Sequence, residues 1–195
     1  MIQTLTAKDL FSLEEYSTRR PVFRAQVMDH KKNRQLPVGP NATLYFEDEM
    51  TIRYQIQEML RAERIFEAEG IKDELDAYNP LIPDGTNWKA TFMIEFEDTV
   101  ERQIALNKLI NIEDRVWVQV EGSDKVWAIA DEDLERATED KTSAVHFLRF
   151  ELTPEMITAV KSGAAISVGI EHKNYSYQVI PVPENIRVSL AGDLR

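Results

Sequence analysis

The stretch that decides the fold runs from Glu47 to Pro83 and reads EDEMTIRYQIQEMLRAERIFEAEGIKDELDAYNPLIP. Apolar residues recur in it every three to four positions, a pattern typical of an amphipathic helix. Asp48 is the expected N-cap, and Gly70 is the expected glycine just past the helix end. A shorter helix, Lys72 to Tyr78, follows and stops at Asn79-Pro80. The pattern therefore predicts one long helix followed by a short one.

Two carboxylates break the apolar pattern of the long helix. At 100° per residue, Glu63 falls inside the apolar arc and Glu67 lies beside it, four positions further on. The arc itself is formed by Ile52, Ile56, Met59, Leu60 and Phe66. A buried carboxylate is unfavourable unless it is paired with a cation or bound to a ligand. Both glutamates are therefore candidate functional residues.

A metal site is one interpretation of these carboxylates. His30 and His146 each fall on the apolar face of a predicted element. A set of Glu63, Glu67 and His30 would suit iron, manganese or zinc. However, no histidine follows a glutamate by three positions, as in di-iron helix bundles. The favoured alternative is that Glu63 and Glu67 pair with Arg53, Arg64 or the arginines of the preceding helix, and that His30 and His146 are hydrogen-bonded core residues.

Composition indicates one globular domain. The chain has 195 residues, of which 43% are hydrophobic, enough for a substantial core. We expect residues 1–195 to form a single domain, in which a mainly helical part, 1–86, packs against a mainly sheet part, 87–195.

Charge and cysteine content exclude several classes of function. A net charge of −11 argues against binding to nucleic acid or to anionic membrane surfaces. The chain has no cysteine, which excludes thiolate catalysis and iron–sulfur clusters held by its own residues. It also has neither a signal peptide pattern nor an apolar run long enough to span a membrane. We expect a cytoplasmic protein without membrane insertion.

A basic segment is a candidate partner-binding surface. Its cations are Arg19, Arg20, Arg24, Lys31, Lys32 and Arg34, against a single acid, Asp29. A solvated helix face is the alternative interpretation. Ser12 and Glu15 form a capping box at the start of this region, and Pro21 is expected to interrupt the first helix and open a second.

The second half of the chain predicts antiparallel strands. Residues 88–97 alternate between apolar and polar, which is typical of a half-buried strand. Further strands are expected at 115–121, 125–130, 144–152, 164–170 and 175–180, several of them joined by hairpin loops. A charged connection, Asp131 to Asp140, is expected to be helical in part. The fold class is α+β: a mostly antiparallel sheet of five or six strands whose apolar face is covered by the N-terminal helices, residues 12–69.

Two further polar groups are candidate binding sites. One is the acidic turn of Asp73, Glu74 and Asp76 with Tyr78 and Asn79, for which a solvated helix end is the alternative. The other is a polar groove formed by the strand residues Arg115, Trp117, Gln119, Arg149 and Glu151. Cross-strand ion pairs explain this second group as well. No nucleophile motif and no phosphate-binding loop occurs in the sequence.

Long runs of the chain resemble a known family. These runs include LEEYSTRRPVFRAQVMDHKKNR, LYFEDEMTIRYQIQEMLRAERIFEAEGIKDELDAYNPLIPDG, IEDRVWVQVEG and AIADEDLERATEDKTSAVHFLRFEL. They are similar to an uncharacterised bacterial family, one of the domains of unknown function. The resemblance implies that the genes of the family often lie beside those of a rubrerythrin and an iron–sulfur oxidoreductase.

Three functions remain open from the sequence. The first is an accessory protein that binds a rubrerythrin-like protein or an iron–sulfur oxidoreductase in an oxidative-stress or electron-transfer setting. The second is a small metalloenzyme built on carboxylates and histidine, and the third is a small-molecule-binding module that uses the polar face of the sheet.

Overall fold

Two antiparallel sheets form the centre of the structure, a computed structural model that describes residues 4–133, 136 and 141–195. The α-helices are α1 (Leu13–Lys31), α2 (Glu49–Glu63), α3 (Ala68–Tyr78), α4 (Thr99–Lys108), α5 (Pro154–Lys161) and α6 (Glu184–Ala191). The strands are β1 (Gln35–Pro37), β2 (Ala42–Phe46), β3 (Asn87–Ile94), β4 (Val116–Val120), β5 (Lys125–Trp127), β6 (Ile129–Ala130), β7 (Val145–Glu151), β8 (Ile166–His172) and β9 (Tyr175–Val179).

The strands divide between two sheets. The first has the order β1-β2-β3-β7-β6, and the second has the order β5-β4-β8-β9. Every described pair is antiparallel. Only Ala128 separates β5 from β6, so one run of chain passes from the second sheet to the first. The α+β class and the antiparallel pairing are confirmed, but the described residues form nine strands in two sheets where five or six strands in one sheet were expected.

The main core lies between the sheets. Along β3, buried and half-buried residues alternate, as the sequence predicts. The inward residues Trp88 and Phe92 belong to the same core as Val118 and Val168 of the second sheet. Residues of α5 and α6 complete this core. The apolar face of the first sheet is thus covered by the second sheet and the C-terminal helices, and not by the N-terminal helices as expected.

The N-terminal helices have a smaller core of their own. Ile52, Ile56 and Leu60 of α2 pack with Leu75 of α3 and with Leu5. Helix α1 packs on α2 through aromatic rings, with the centroid of Phe23 6.0 Å from that of Tyr54. A separate core was not foreseen, because helical periodicity shows which residues are buried but not which element covers them.

Pro21 does not interrupt the first helix, and that prediction was wrong. Helix α1 runs through it from Leu13 to Lys31, capped by the Ser12 hydroxyl, which accepts a hydrogen bond from the Glu15 amide. A proline leaves the carbonyl four residues earlier without its helical donor. That carbonyl belongs to Ser17, which is exposed like Pro21, so water can replace the missing donor.

The long helix ends earlier than its pattern predicts. Asp48 is its N-cap, as expected, and accepts from the Thr51 amide at 3.0 Å. At the other end, Arg64 adopts the left-handed conformation, with φ 58°, and terminates α2 after Glu63. Gly70 lies inside α3, where a Cβ would come within 2.7 Å of the Ile65 side chain. The glycine is therefore required for close packing of the turn and not as a cap.

Within the described residues, no helix combines the length and the apolar character that a membrane span requires. Most of the connection predicted at Asp131 to Asp140, including any helical part, lies outside the described residues.

Candidate functional site

A cavity of about 600 Å³ lies between the helical layer and the outer face of the first sheet. Its apolar wall is formed by Met59 of α2, Ala77 and Tyr78 of α3, Pro80, Leu81, and Phe147 and Leu148 of β7. Its charged residues are Glu74, Asp76, Lys89, Glu132, Asp133, Arg136 and Arg149. Pockets with an apolar body and a few polar groups are the usual form of small-molecule sites.

Strand alternation places the two central cations of this cavity. Lys89 of β3 is directly opposite Arg149 of β7 in the antiparallel register. Both are outward neighbours of inward core residues, Trp88 and Phe150. Like charges opposite one another are unfavourable, so acidic neighbours are needed nearby.

Arg149 has those acidic neighbours and is fully engaged by them. Its guanidinium donates to both carboxylate oxygens of Glu132, each at 2.8 Å, and to Glu151 at 2.6 Å. The hydrogen bonds from Arg149 lower the pKa of Glu132, and Glu132 raises the pKa of Arg149. Arg149 therefore forms part of the rim of the cavity and has few donors left for a ligand.

Lys89 is much less engaged. Its ammonium donates one hydrogen bond, to the Pro80 carbonyl at 2.5 Å, and no carboxylate of a described residue lies within ion-pair distance. Burial lowers the pKa of Lys89 and Arg149 acts in the same direction, while Asp84, Glu132 and Glu151 partly oppose the shift. An acceptor atom supplied by a ligand would restore the solvation that this amine has lost.

Glu74 and Tyr78 add two polar groups with vacant hydrogen-bonding capacity. Within the described part of the chain, neither the Glu74 carboxyl nor the Tyr78 hydroxyl bonds another protein group. Burial raises the pKa of Glu74, and the nearby charges of Glu63 and Asp73 act in the same direction. The cavity thus contains an amine and a carboxyl whose pKa values are displaced toward their neutral forms, a feature that marks functional sites more often than other surfaces.

A second polar cluster is buried beside the cavity. His146 is fully buried on the inner face of β7, with Nδ1 2.6 Å from Asp131 Oδ2 and Nε2 2.8 Å from the Thr142 hydroxyl. That hydroxyl donates to Glu113 Oε2 at 3.1 Å. The ligand atoms of Glu113, Asp131 and His146 lie within 4.8 Å of one another. Among the described residues, these are the ones grouped closely enough to hold a metal ion, and such a set suits iron, manganese or zinc.

Asp131 connects this cluster with the cavity wall. Its Oδ1 accepts from the Phe147 amide at 2.9 Å and lies 3.3 Å from Arg136 Nε. The Arg136 guanidinium lies 4.6 Å from the centre of the Phe147 ring, and both residues line the cavity. Asp131 therefore supports the buried histidine with one oxygen and the cavity wall with the other.

The cluster contains a carboxylate, an imidazole and a hydroxyl in the order used for nucleophilic catalysis. Thr142 is only 1% exposed, and neither it nor His146 lines the cavity. No substrate carbonyl can therefore approach the hydroxyl. The hydrogen bonds also give both ring nitrogens a partner, so they hold the buried imidazole in place.

The structure does not bring Glu63, Glu67 and His30 together. Both glutamates are exposed, and they lie in different elements because α2 ends at Glu63 and Glu67 precedes α3. His30 Nε2 lies 2.5 Å from Asp48, at the opposite end of α2. A helix of 15 residues separates these ends by about 20 Å. The interpretation of the two carboxylates as sharing one inward helix face was wrong, because both are exposed and the left-handed Arg64 turns the chain between them.

The predicted basic surface is also divided. Arg34 is only 2% exposed and donates to the carbonyls of Phe46 and Glu47 and to Asp193 Oδ2 at 2.6 Å, so it cannot contact a partner. Burial raises the pKa of Asp193 to about 6, although Arg34 opposes this shift. The other cations lie on or next to α1: Arg19 pairs with Glu15, Arg20 with Glu58 and Lys32 with Asp29, while Lys31 lies over the Tyr54 ring and Arg24 is exposed.

Sequence reasoning found part of the cavity. Glu74 and Tyr78 come from the predicted acidic turn, and Arg149 comes from the predicted strand groove. Trp117 and Gln119 belong to the other sheet, and Arg115 lies in the turn before it, so that groove does not form as expected. Sequence analysis did not identify Lys89 as a site residue. The one signal in the sequence is that a lysine occupies an outward position of a largely apolar strand.

Residues 4–194 match the model of a family described as Protein of unknown function (DUF3501), and the chain belongs to that family. It is also similar to the crystal structure of a novel protein of unknown function from Burkholderia pseudomallei K96243. The two chains are 51% identical, the match covers 99% of this chain and 100% of the other, and the TM-score is 0.95. No curated protein matches the chain. The resemblance to a family of unknown function is confirmed, and the redox setting that it implies stays a prediction.

Proposed function

We propose that the protein binds a small, partly apolar molecule in the cavity between α3 and the first sheet. The observation that carries the proposal is the state of Lys89 and Glu74. Both line an apolar-walled cavity of about 600 Å³, and both lack the ion pairs that surround the other charged groups there. Charged groups left with few partners in a partly buried site favour a ligand that supplies them.

The cavity defines the chemistry of that ligand. Met59, Leu81 and Phe147 offer an apolar surface for an aliphatic or aromatic body. Lys89 offers a hydrogen-bond donor to a carboxylate, carbonyl or sulfonate oxygen, and a charge-assisted bond of this kind contributes about 1.5–3 kcal/mol. Glu74 accepts a hydrogen bond from a hydroxyl or amine of the same molecule.

A fluorescent probe with this chemistry tests the proposal. 8-Anilinonaphthalene-1-sulfonate combines aromatic rings with a sulfonate, and we expect it to bind the folded full chain. In Lys89→Met its dissociation constant should rise about tenfold, the equivalent of one charge-assisted hydrogen bond. Lys72→Met is the matched control, because Lys72 is exposed, pairs with Asp76 and does not line the cavity. Equal affinity of both variants would contradict the proposal, and circular dichroism checks that both are folded.

Partner binding in a redox setting is a second candidate, and exposed apolar side chains favour it. Trp127 and Ile129 are each 41% exposed and flank the crossing from the second sheet to the first. Large exposed apolar residues near one another often mark contact surfaces. If this candidate is correct, the tagged chain should retain a co-expressed rubrerythrin-like protein or iron–sulfur oxidoreductase, and Ile129→Ser should weaken that retention. Retention that is unchanged in Ile129→Ser, or absent in the unaltered chain, would contradict it.

A further inference from the structure

Lys89 differs in its surroundings from the lysines of the described chain that form ion pairs. It lines the cavity of about 600 Å³. Lys32, Lys72 and Lys125 each form an ion pair with a carboxylate, whereas Lys89 donates to the Pro80 carbonyl. A carboxylate partner holds a lysine in its charged form, but a carbonyl can also accept from a neutral amine. The hydrogen bond to Pro80 therefore fixes the position of the amine without requiring its charge.

The walls around this amine favour its neutral form. Lys89 Nζ lies near the Arg149 guanidinium, a like charge, and the apolar residues of the cavity remove part of its water. Both effects lower the pKa of Lys89, and they outweigh the opposing negative charges of Asp84, Glu132 and Glu151. A neutral amine carries a free electron pair and is a nucleophile toward carbonyl carbon, and lysines in such surroundings form Schiff bases.

We propose that Lys89 forms an imine with a small aldehyde or ketone held in the cavity. This inference rests on the proposed function, because it requires the same cavity to bind the carbonyl compound. In the reaction, the electron pair of Nζ attacks the carbonyl carbon and gives a carbinolamine. The C–O bond then breaks, both amine hydrogens leave with the carbonyl oxygen as water, and a C=N bond remains. The reaction is a condensation and needs no oxidant or reductant.

Two further groups that line the cavity can assist this condensation. Loss of water from a carbinolamine requires a proton donor for the departing hydroxyl. Glu74 and Tyr78 line the same cavity and have no protein hydrogen-bond partner among the described residues. Burial raises the pKa of Glu74, so its carboxyl retains a proton to a higher pH than an exposed glutamate. The apolar wall selects carbonyl compounds with an aliphatic or aryl substituent.

Reductive trapping tests the inference directly. The full chain is incubated with butyraldehyde or benzaldehyde and sodium cyanoborohydride near pH 7.5, and the modified lysines are identified by peptide mass spectrometry. We expect Lys89 to be labelled several-fold faster than Lys72, because its lowered pKa leaves a larger fraction of the amine neutral. The pKa of Lys72 is raised by its bond to Asp76, which makes Lys72 an internal control.

Two variants keep the result interpretable. In Lys89→Arg the fast phase of labelling should disappear while the slow labelling of exposed lysines is unchanged. In Ala77→Phe, which fills the cavity but keeps the amine, labelling of Lys89 should fall to the rate of Lys72. Labelling of Lys89 no faster than Lys72 in the unaltered chain would overturn the inference. If the sulfonate probe still binds through Lys89, the cavity nevertheless binds ligands, whereas loss of both results contradicts both proposals.

Discussion

The two faces of the first sheet perform different tasks with the same strands. On the inner face, Phe92 of β3 is opposite His146 of β7, and both are fully buried. On the outer face, Thr91 is opposite Phe147, and Lys89 is opposite Arg149, beside a cavity of about 600 Å³. On the inner face, His146 has a hydrogen-bond partner at each ring nitrogen. On the outer face, Lys89 donates only one hydrogen bond among the described residues. Alternation along a strand thus separates residues that stabilise the fold from residues available for binding.

The largest difference in stability should come from removing one phenylalanine ring from the inner face and, in a second variant, one from the outer face. Phe92→Ala should lower the free energy of unfolding by about 3–5 kcal/mol, because it leaves a cavity in a closely packed core. Phe147→Ala should cost about 1 kcal/mol, since Phe147 is half-buried and already borders an open cavity. Urea denaturation measures both values. Similar losses for the two variants would show that the faces do not differ as described.

The next effect concerns Asp131, the residue that bonds to both faces. Asp131→Ala should cost about 3 kcal/mol, because His146 and the Phe147 amide each lose a buried acceptor. Asp133→Ala is the matched control: Asp133 is exposed and pairs only with Arg136 among the described residues, so its loss should cost below about 1 kcal/mol. Thermal unfolding of both variants gives the comparison, and a mild effect of Asp131→Ala would mean that the buried network contributes little.

A smaller effect depends on pH and concerns the outer face alone. The pKa of Lys89 is lowered in the folded chain, so folding is opposed at any pH where the unfolded lysine is charged. This penalty is fully present below the folded pKa and disappears as the pH rises through the ordinary value of 10.5. Lys89→Met should therefore be more stable than the unaltered chain near pH 7, by less than about 1 kcal/mol because the amine is partly exposed. The difference should shrink toward pH 10.5 in unfolding measured across pH, and a difference independent of pH would contradict the assigned direction.

The smallest effect should come from the rim of the cavity. Arg149 and Glu132 form a bidentate ion pair, but their side chains are 25% and 52% exposed. A double-mutant cycle of Arg149→Ala and Glu132→Ala should give a coupling energy of about 0.5–1 kcal/mol. The coupling should fall in 1 M salt. A coupling energy above this range that does not change with salt would show that the pair behaves as a buried ion pair and would contradict this prediction.

The sequence allowed prediction of the elements that depend on local signals. The N-caps at Ser12 and Asp48 are confirmed, as is the alternating strand β3. The hairpins β4–β5 and β8–β9 also form as expected. The end of α2 could not be predicted, because Arg64 is not a residue type that usually adopts a left-handed conformation. Its conformation depends on tertiary packing, which no local pattern encodes.

The site was predicted only in fragments for the same reason. Glu113, Asp131 and His146 come from three separate segments, and they meet only because β6 pairs with β7 and the turn before β4 packs beneath them. Lys89 gains its significance from α3, which covers the outer face of the sheet. Composition and periodicity describe each element alone, so they do not show which side chains share a cavity.

The hydrogen bonds of the buried Arg34 join parts of the chain that are synthesised at different times. The acid that receives its shortest hydrogen bond, Asp193, lies 159 positions later in the sequence. Ribosomes add about 5–20 residues per second, so roughly 10–30 s separate the appearance of the two residues. During that interval the guanidinium has Asp48 nearby but lacks Asp193 and Ser189, and it cannot be buried with its full set of acceptors. The segment from α1 to β2 therefore reaches its final packing only after Asp193 has been synthesised.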